Sequence, residues 1–136
     1  MRIIIDTNLW ISFIISNRIN EIDTIIIKNN VTILFNQDLI LEIKNTIKKP
    51  KLQKYFGNNS FNEMLDVFNE YIEMIDDYTK VKICRDEKDN FLLNLSIDGN
   101  ADYLITGDSD LLVLNQIEKT KIITINDFIT LTNKTK

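Results

Sequence analysis

Tyr103-Leu104-Ile105-Thr106-Gly107-Asp108-Ser109-Asp110-Leu111-Leu112 passes from a short apolar run, through a glycine break, into a helical spacing that opens on acids. This predicts a strand over residues 103–106 and a short helix over residues 108–114. The same succession, apolar strand, polar or acidic junction, helix, recurs upstream. Residues 2–6 are a near-continuous β-branched run ending at Asp6, suited to a strand buried on both faces, and a buried helix follows over 9–15. A second helix over 21–29 closes at Asn29-Asn30 and leads to a second buried strand over 31–35. Residues 38–48 read as a helix with Leu39, Ile40, Ile43 and Ile47 on one face, stopped by Pro50.

The middle of the chain is read by the same signals. Residues 51–56 form a short helix closed at Gly57, and Ser60 with Glu63 is a capping-box signature opening a long helix to about Ile75. A strand over 80–84 precedes a helix over 86–98 that ends at Gly99-Asn100. The last strand covers 121–125 and the last helix 126–131. Strands alternating with helices imply βαβ units and a mostly parallel sheet of about five strands covered on both faces, an α/β architecture within a single domain of residues 1–136. In such sheets the ligand site lies beyond the carboxyl ends of the strands.

Composition narrows the chemistry. The 136 residues contain no histidine and one cysteine, Cys84. That excludes Ser-His-Asp and Cys-His catalysis, His-ligated metal sites and an internal disulfide, and a reducing cytoplasm is the expected compartment. The opening apolar run is interrupted by Asp6 before a signal peptide is formed, and no apolar run approaches the ~20 residues needed to span a bilayer. Twenty Asp and Glu against sixteen Lys and Arg leave a net charge of −4, which opposes broad nonspecific nucleic-acid binding but permits a local basic strip.

The acids fall at the strand–helix junctions. Asp6 ends the first strand, Asn36 and Asp38 follow the second with Glu42 one turn on, Asp86 and Asp89 follow the third, and Asp108 and Asp110 the fourth. All should emerge on one sheet edge. At a separation of about 4 Å and an effective dielectric of about 20, a pair of carboxylates costs on the order of 4 kcal/mol, so a cluster calls for a cation or for protonation. Each acid taken singly also fits a helix cap or the first helical turn, where the macrodipole favours negative charge. Joint placement is what points to a metal site, and oxygen ligands alone select a hard ion such as Mg²⁺ or Mn²⁺.

Four segments in order resemble the PIN domain family, in the branch found as toxins of bacterial toxin–antitoxin pairs. They are Ile3-Ile4-Ile5-Asp6-Thr7-Asn8, Leu39-Ile40-Leu41-Glu42-Ile43 with Lys49-Pro50-Lys51-Leu52, Cys84-Arg85-Asp86-Glu87-Lys88-Asp89-Asn90, and Ala101 to Leu112. The resemblance implies a three-layer sandwich and a Mg²⁺- or Mn²⁺-dependent endoribonuclease. It implies Asp6, Glu42, Asp89 and Asp108 as catalytic, metal-binding acids, Asp110 as a fifth, and Asn8 and Thr106 as polar supports. Asp86 competes with Asp89, which is preferred because Asp86 is the natural cap. The substrate implied is single-stranded RNA, with an antitoxin protein and a second copy of the chain as partners and no membrane.

RNA must approach an acidic protein. Lys44, Lys48, Lys49, Lys51 and Lys54 lie in eleven residues with no acid among them, and Arg85 sits beside the third acidic segment; these are the candidate RNA contacts. Trp10 is expected under the sheet as core. A haloacid-dehalogenase-type phosphotransferase is disfavoured because Asp6-Thr7-Asn8 lacks the second acid, and a receiver domain has no place for Thr106-Gly107-Asp108-Ser109-Asp110. The alternative of a different class is a catalytically silent PIN-like module that binds RNA or protein.

Overall fold

In the computed structural model, residues 1–16, 18–55, 60–76 and 89–134 are described. Strand β1 (Arg2–Ile5) leads to α1 (Thr7–Ile15) and α2 (Ile19–Lys28); β2 (Thr32–Phe35) leads to α3 (Gln37–Ile47), a 3-10 turn (Pro50–Tyr55) and α4 (Ser60–Phe68). A second 3-10 turn (Asn69–Tyr71) enters β3 (Ile72–Met74). Beyond it come α5 (Asn90–Asp98), β4 (Tyr103–Ile105), α6 (Ser109–Leu112), β5 (Gln116–Ile117), β6 (Thr120–Ile123) and α7 (Ile125–Lys134).

The strands form one sheet in the order β3-β2-β1-β4-β6-β5. All neighbours are parallel except β5 and β6. The α/β class and mostly parallel sheet expected from the sequence are therefore present, with six strands among the described residues instead of about five. Ile3, Ile4 and Ile5 are all buried, as are Ile33, Leu34 and Phe35. Alternate residues point to opposite faces of a strand, so unbroken burial means that helices cover both faces. Trp10 anchors α1 in this core, stacked on Phe35 at 5.7 Å and edge-on to Phe68 at 5.4 Å and Phe13 at 6.3 Å.

Three sequence expectations change. The long helix drawn to Ile75 ends at Phe68, and Ile72–Met74 forms an edge strand paired with β2. Phe68, Tyr71, Ile72 and Ile75 fit helical spacing, but pairing with β2 satisfies the backbone of 72–74 and overrides that pattern. β5 was not anticipated: it is two residues long, and its turn to β6 runs through Glu118 at φ 48° with no Gly or Asn to announce it. Asp38 does not cap α3; Asn36 does, its side-chain oxygen accepting from the Leu39 amide at 2.8 Å. The strand expected over residues 80–84 and the cap expected at Asp86 lie outside the described residues, as do Cys84 and Arg85.

The end of α5 shows how a loop is held under the sheet. Asn100, not Gly99, takes the left-handed conformation, at φ 50°. Gly99 is needed for space: a Cβ there would stand 2.7 Å from Leu34 Cδ1 and 3.0 Å from the Leu95 carbonyl oxygen. Leu34 is fully buried and cannot swing away. Gly99→Ala is expected to destabilise the fold by about 1–3 kcal/mol through overpacking, read as a lowered urea midpoint at unchanged slope. Nearby, the Arg2 guanidinium donates to the Gly99 carbonyl at 2.8 Å and to both Glu73 oxygens at 3.2 and 2.7 Å, tying β1 to β3 across β2.

Candidate active site

The order of strands decides where a site can form. From β1 the chain builds outward through β2 to β3, then returns across β1 and continues with β4 and β6. Connections leave β1 and β4 in opposite directions, and this switch point opens a crevice at the carboxyl ends of the two strands. Asp6 follows β1 and Asp108 follows β4, so both stand at its mouth. The Asp6 amide donates to the Ile105 carbonyl at 3.0 Å, carrying the β1–β4 ladder one step past the strands and setting Asp6 beside Thr106.

Thr106 is fully buried and links the two acids. Its hydroxyl donates to Asp6 Oδ2 at 2.7 Å and accepts from the Asp108 amide at 3.0 Å. With the amide as donor on one side, the hydroxyl proton is directed at Asp6. Asp108 Oδ1 accepts from the Asp110 amide at 2.9 Å, capping α6. Asp6 precedes α1 in the N-cap position but makes no capping hydrogen bond with its side chain. Its carboxylate is thus committed to Thr106 and to the crevice.

Burial sets Asp6 apart from an ordinary surface carboxylate. Only 7% of it is exposed. Burial pushes its carboxyl above the ordinary range; the Thr106 hydrogen bond pulls it back, the charge of Asp108 raises it again, and the nearby amides of Asn8 and Thr7 lower it. The net direction is upward. A pocket of about 280 Å³ opens here, lined by Asp6, Asn8, Leu9, Gly107 and Asp108. A Cβ on Gly107 would meet nothing within 4 Å, so the floor beside Asp108 stays open to a large substrate.

The other expected residues are placed as follows. Asn8 lines the pocket, and Thr106 is the bridge between the acids. Glu42 is half-buried on α3, and Asp89 is half-buried at the N-cap position of α5, without a side-chain capping bond. The helix start expected at Asp86 lies outside the described residues. Helix α3 packs against both α1 and α5, so the elements that carry the acids are neighbours. Among the described residues, however, no three His, Cys, Asp or Glu side chains gather closely enough to hold an ion. The structure brings Asp6 and Asp108 together: Thr106 bridges them, and the charge of Asp108 acts on Asp6. Leu9 and Gly107 were not anticipated as pocket residues; their only signal was adjacency to Asn8 and Asp108.

The chemistry of the pair fits a hard divalent cation. Every polar donor atom at Asp6, Asn8, Thr106 and Asp108 suited to a metal is oxygen, and one of two neighbouring carboxylates is buried without a positive side chain in the pocket lining. A cation would offset the desolvation and repulsion that raise the Asp6 carboxyl.

Comparison with known proteins gives the family. The chain is 33% identical over 130 residues to an uncharacterized protein, MJ1680, of Methanocaldococcus jannaschii, an alignment covering 93% of this chain and 82% of that protein. The sequence profile of the PIN domain matches residues 2–110, which include both strands of the switch point and all of the acids discussed. PIN domains are generally nucleases that hydrolyse phosphodiester bonds, usually with divalent metal ions, and membership implies nucleic-acid binding. With the buried Asp6, its Thr106 bridge and Asp108 already in place at the β1–β4 crevice, the matched profile leads to one conclusion: this chain belongs to the PIN domain family.

Proposed function

We propose that this protein is a Mg²⁺- or Mn²⁺-dependent endoribonuclease that cuts single-stranded RNA in the cytoplasm as the toxin of a toxin–antitoxin pair. The observation that carries the reading is the buried Asp6, bridged by Thr106 and set against Asp108 at the switch point. Asp6 and Asp108 would hold the ion, and Asp110, Glu42 and Asp89 are the further ligands that the resemblance to the family implies. The chemistry a bound divalent ion supplies is a water of lowered pKa and positive charge at the phosphate, which a chain without histidine needs from outside its own side chains. Thr106 keeps the Asp6 carboxylate in one orientation, and the Asp110 amide does the same for Asp108. Gly107 leaves room for the sugar–phosphate backbone to approach. The toxin assignment rests on the resemblance of the four acidic segments to that branch of the family.

Purified protein incubated with end-labelled RNA is expected to cut it with Mg²⁺ or Mn²⁺ and to leave it intact in EDTA, and Asp108→Asn is expected to abolish cutting. Cleavage in EDTA at the same rate, or by Asp108→Asn, overturns the proposal. A second reading, a silent binding module, is favoured by the absence of a three-acid group among the described residues. Calorimetry separates the two: uptake of Mn²⁺ that weakens in Asp108→Asn supports the enzyme, and no uptake supports the module.

A further inference from the structure

Helix α3 leaves the sheet at the end of β2, next to β1, so its first turns stand on the same edge as Asp6 and Asp108. A second groove lies here, of about 400 Å³, lined by Gln37, Asp38, Ile40, Leu41 and Lys44. Leu41 is 57% exposed on the outer side of a helix whose Leu39 and Ile43 are fully buried. At 3.6 residues per turn, Gln37, Leu41, Lys44 and Lys48 form one stripe on the outer side of α3. The Lys44 ammonium lies 5.7 Å from the centre of the Phe61 ring, which holds its long side chain beside the groove. Lys48, Lys49, Lys51 and Lys54 follow, all exposed. No acid occurs between Glu42 and Glu63. In a chain of net charge −4 this is a sharp local reversal of sign.

We propose that the α3 groove and the lysines behind it bind the single-stranded nucleic acid that flanks the cleaved bond, with a base on Ile40 and Leu41 and successive phosphates at Lys44 and Lys48. The inference rests on the nuclease reading and gives the substrate its path. Asp38, at the end of the groove nearest the sheet, repels phosphate and accepts from base amino groups, so the backbone is driven to the Lys44 end. One helical turn, about 5.4 Å, separates Lys44 from Lys48, so both can meet one strand. Continuity with the Asp6–Asp108 edge favours a nucleic acid over an acidic protein segment.

Binding of a fluorescein-labelled single-stranded RNA oligonucleotide, followed by anisotropy in EDTA over a salt series, tests this without reading cleavage. Failure of the nuclease reading in the cleavage assay therefore leaves these measurements interpretable. Neutralising both lysines (Lys44→Gln with Lys48→Gln) is expected to reduce the slope of log affinity against log salt by about 1.4, roughly 0.7 for each phosphate contact on a single strand. Leu41→Ser is expected to weaken binding several-fold at every salt with the slope unchanged. All three side chains are exposed, so circular dichroism should show the native fold in each variant. A slope equal to that of the parent protein in the double variant overturns the proposal. So does binding of poly-glutamate in place of RNA with the same dependence on Lys44 and Lys48, which would assign the strip to an acidic protein.

Discussion

Asp6→Asn is expected to lower RNA cleavage by at least ~100-fold, the order seen when one preorganised electrostatic group is removed from an active site. The fold should survive, because asparagine keeps an oxygen to accept the Thr106 hydroxyl proton and occupies the same volume. In EDTA the variant should in fact melt higher than the parent protein. A buried carboxylate beside Asp108 opposes folding when ionised, and the amide carries no charge to desolvate. The sign with pH follows. Asp6 has a folded-state pKa raised above its ordinary value of 3.8, so the folded protein holds that proton more tightly than the unfolded chain. Stability is then lost as pH rises from that ordinary value through the raised one. The advantage of Asp6→Asn should be largest above this window and shrink as the pH falls below it. Melting temperatures in EDTA across acid and neutral pH, beside cleavage rates with Mn²⁺, check both halves. Cleavage at the parent rate, or a variant less stable than the parent at neutral pH, would sink the assignment.

The largest effect on stability is expected at Trp10. It is the single tryptophan, it is fully buried, and it contacts Phe13, Phe35 and Phe68. Trp10→Ala removes most of that contact and leaves a cavity, at a cost of about 3–5 kcal/mol. Domains are stable by only about 5–15 kcal/mol, so much of this variant should be unfolded or close to it. Trp10→Phe should behave differently. The indole Nε1 is buried without a hydrogen-bond partner among the described residues, and an unmet donor of this kind costs about 1–3 kcal/mol. Phenylalanine gives up some volume but removes that donor, so the variant should fall within about 1.5 kcal/mol of the parent. Urea unfolding followed by circular dichroism measures both. Equal losses for the two substitutions would show that the indole nitrogen is satisfied in solution. Trp10 also ties α1 to the sheet four residues after Asp6, so Trp10→Ala should lose activity together with its fold.

Local signals carried much of the architecture. Residues 2–5, 32–35 and 103–105 could be read as strands because buried parallel strands need unbroken β-branched and apolar runs. Helices α2 and α3 were visible in their apolar spacing and their ends. The reading failed where local and tertiary preferences disagree. Ile72–Met74 continues a helical pattern from α4 but gains more by pairing with β2, and Gln116–Ile117 is held as a strand only by β6.

For the site, the chain order alone shows that Asp6 and Asp108 each follow a strand, and the lack of histidine shows that any catalysis must come through oxygen ligands. Those are one-dimensional facts, set by residue type and spacing. That Asp6 and Asp108 are neighbours is not one of them: β1 and β4 are about one hundred residues apart in sequence and meet because the chain reverses direction across the sheet. Burial of Asp6, its bridge to Thr106 and the placing of the α3 groove beside that pair follow from the same strand order. No segment encodes these features by itself, because proximity and desolvation are properties of packed elements and not of the residues that compose them.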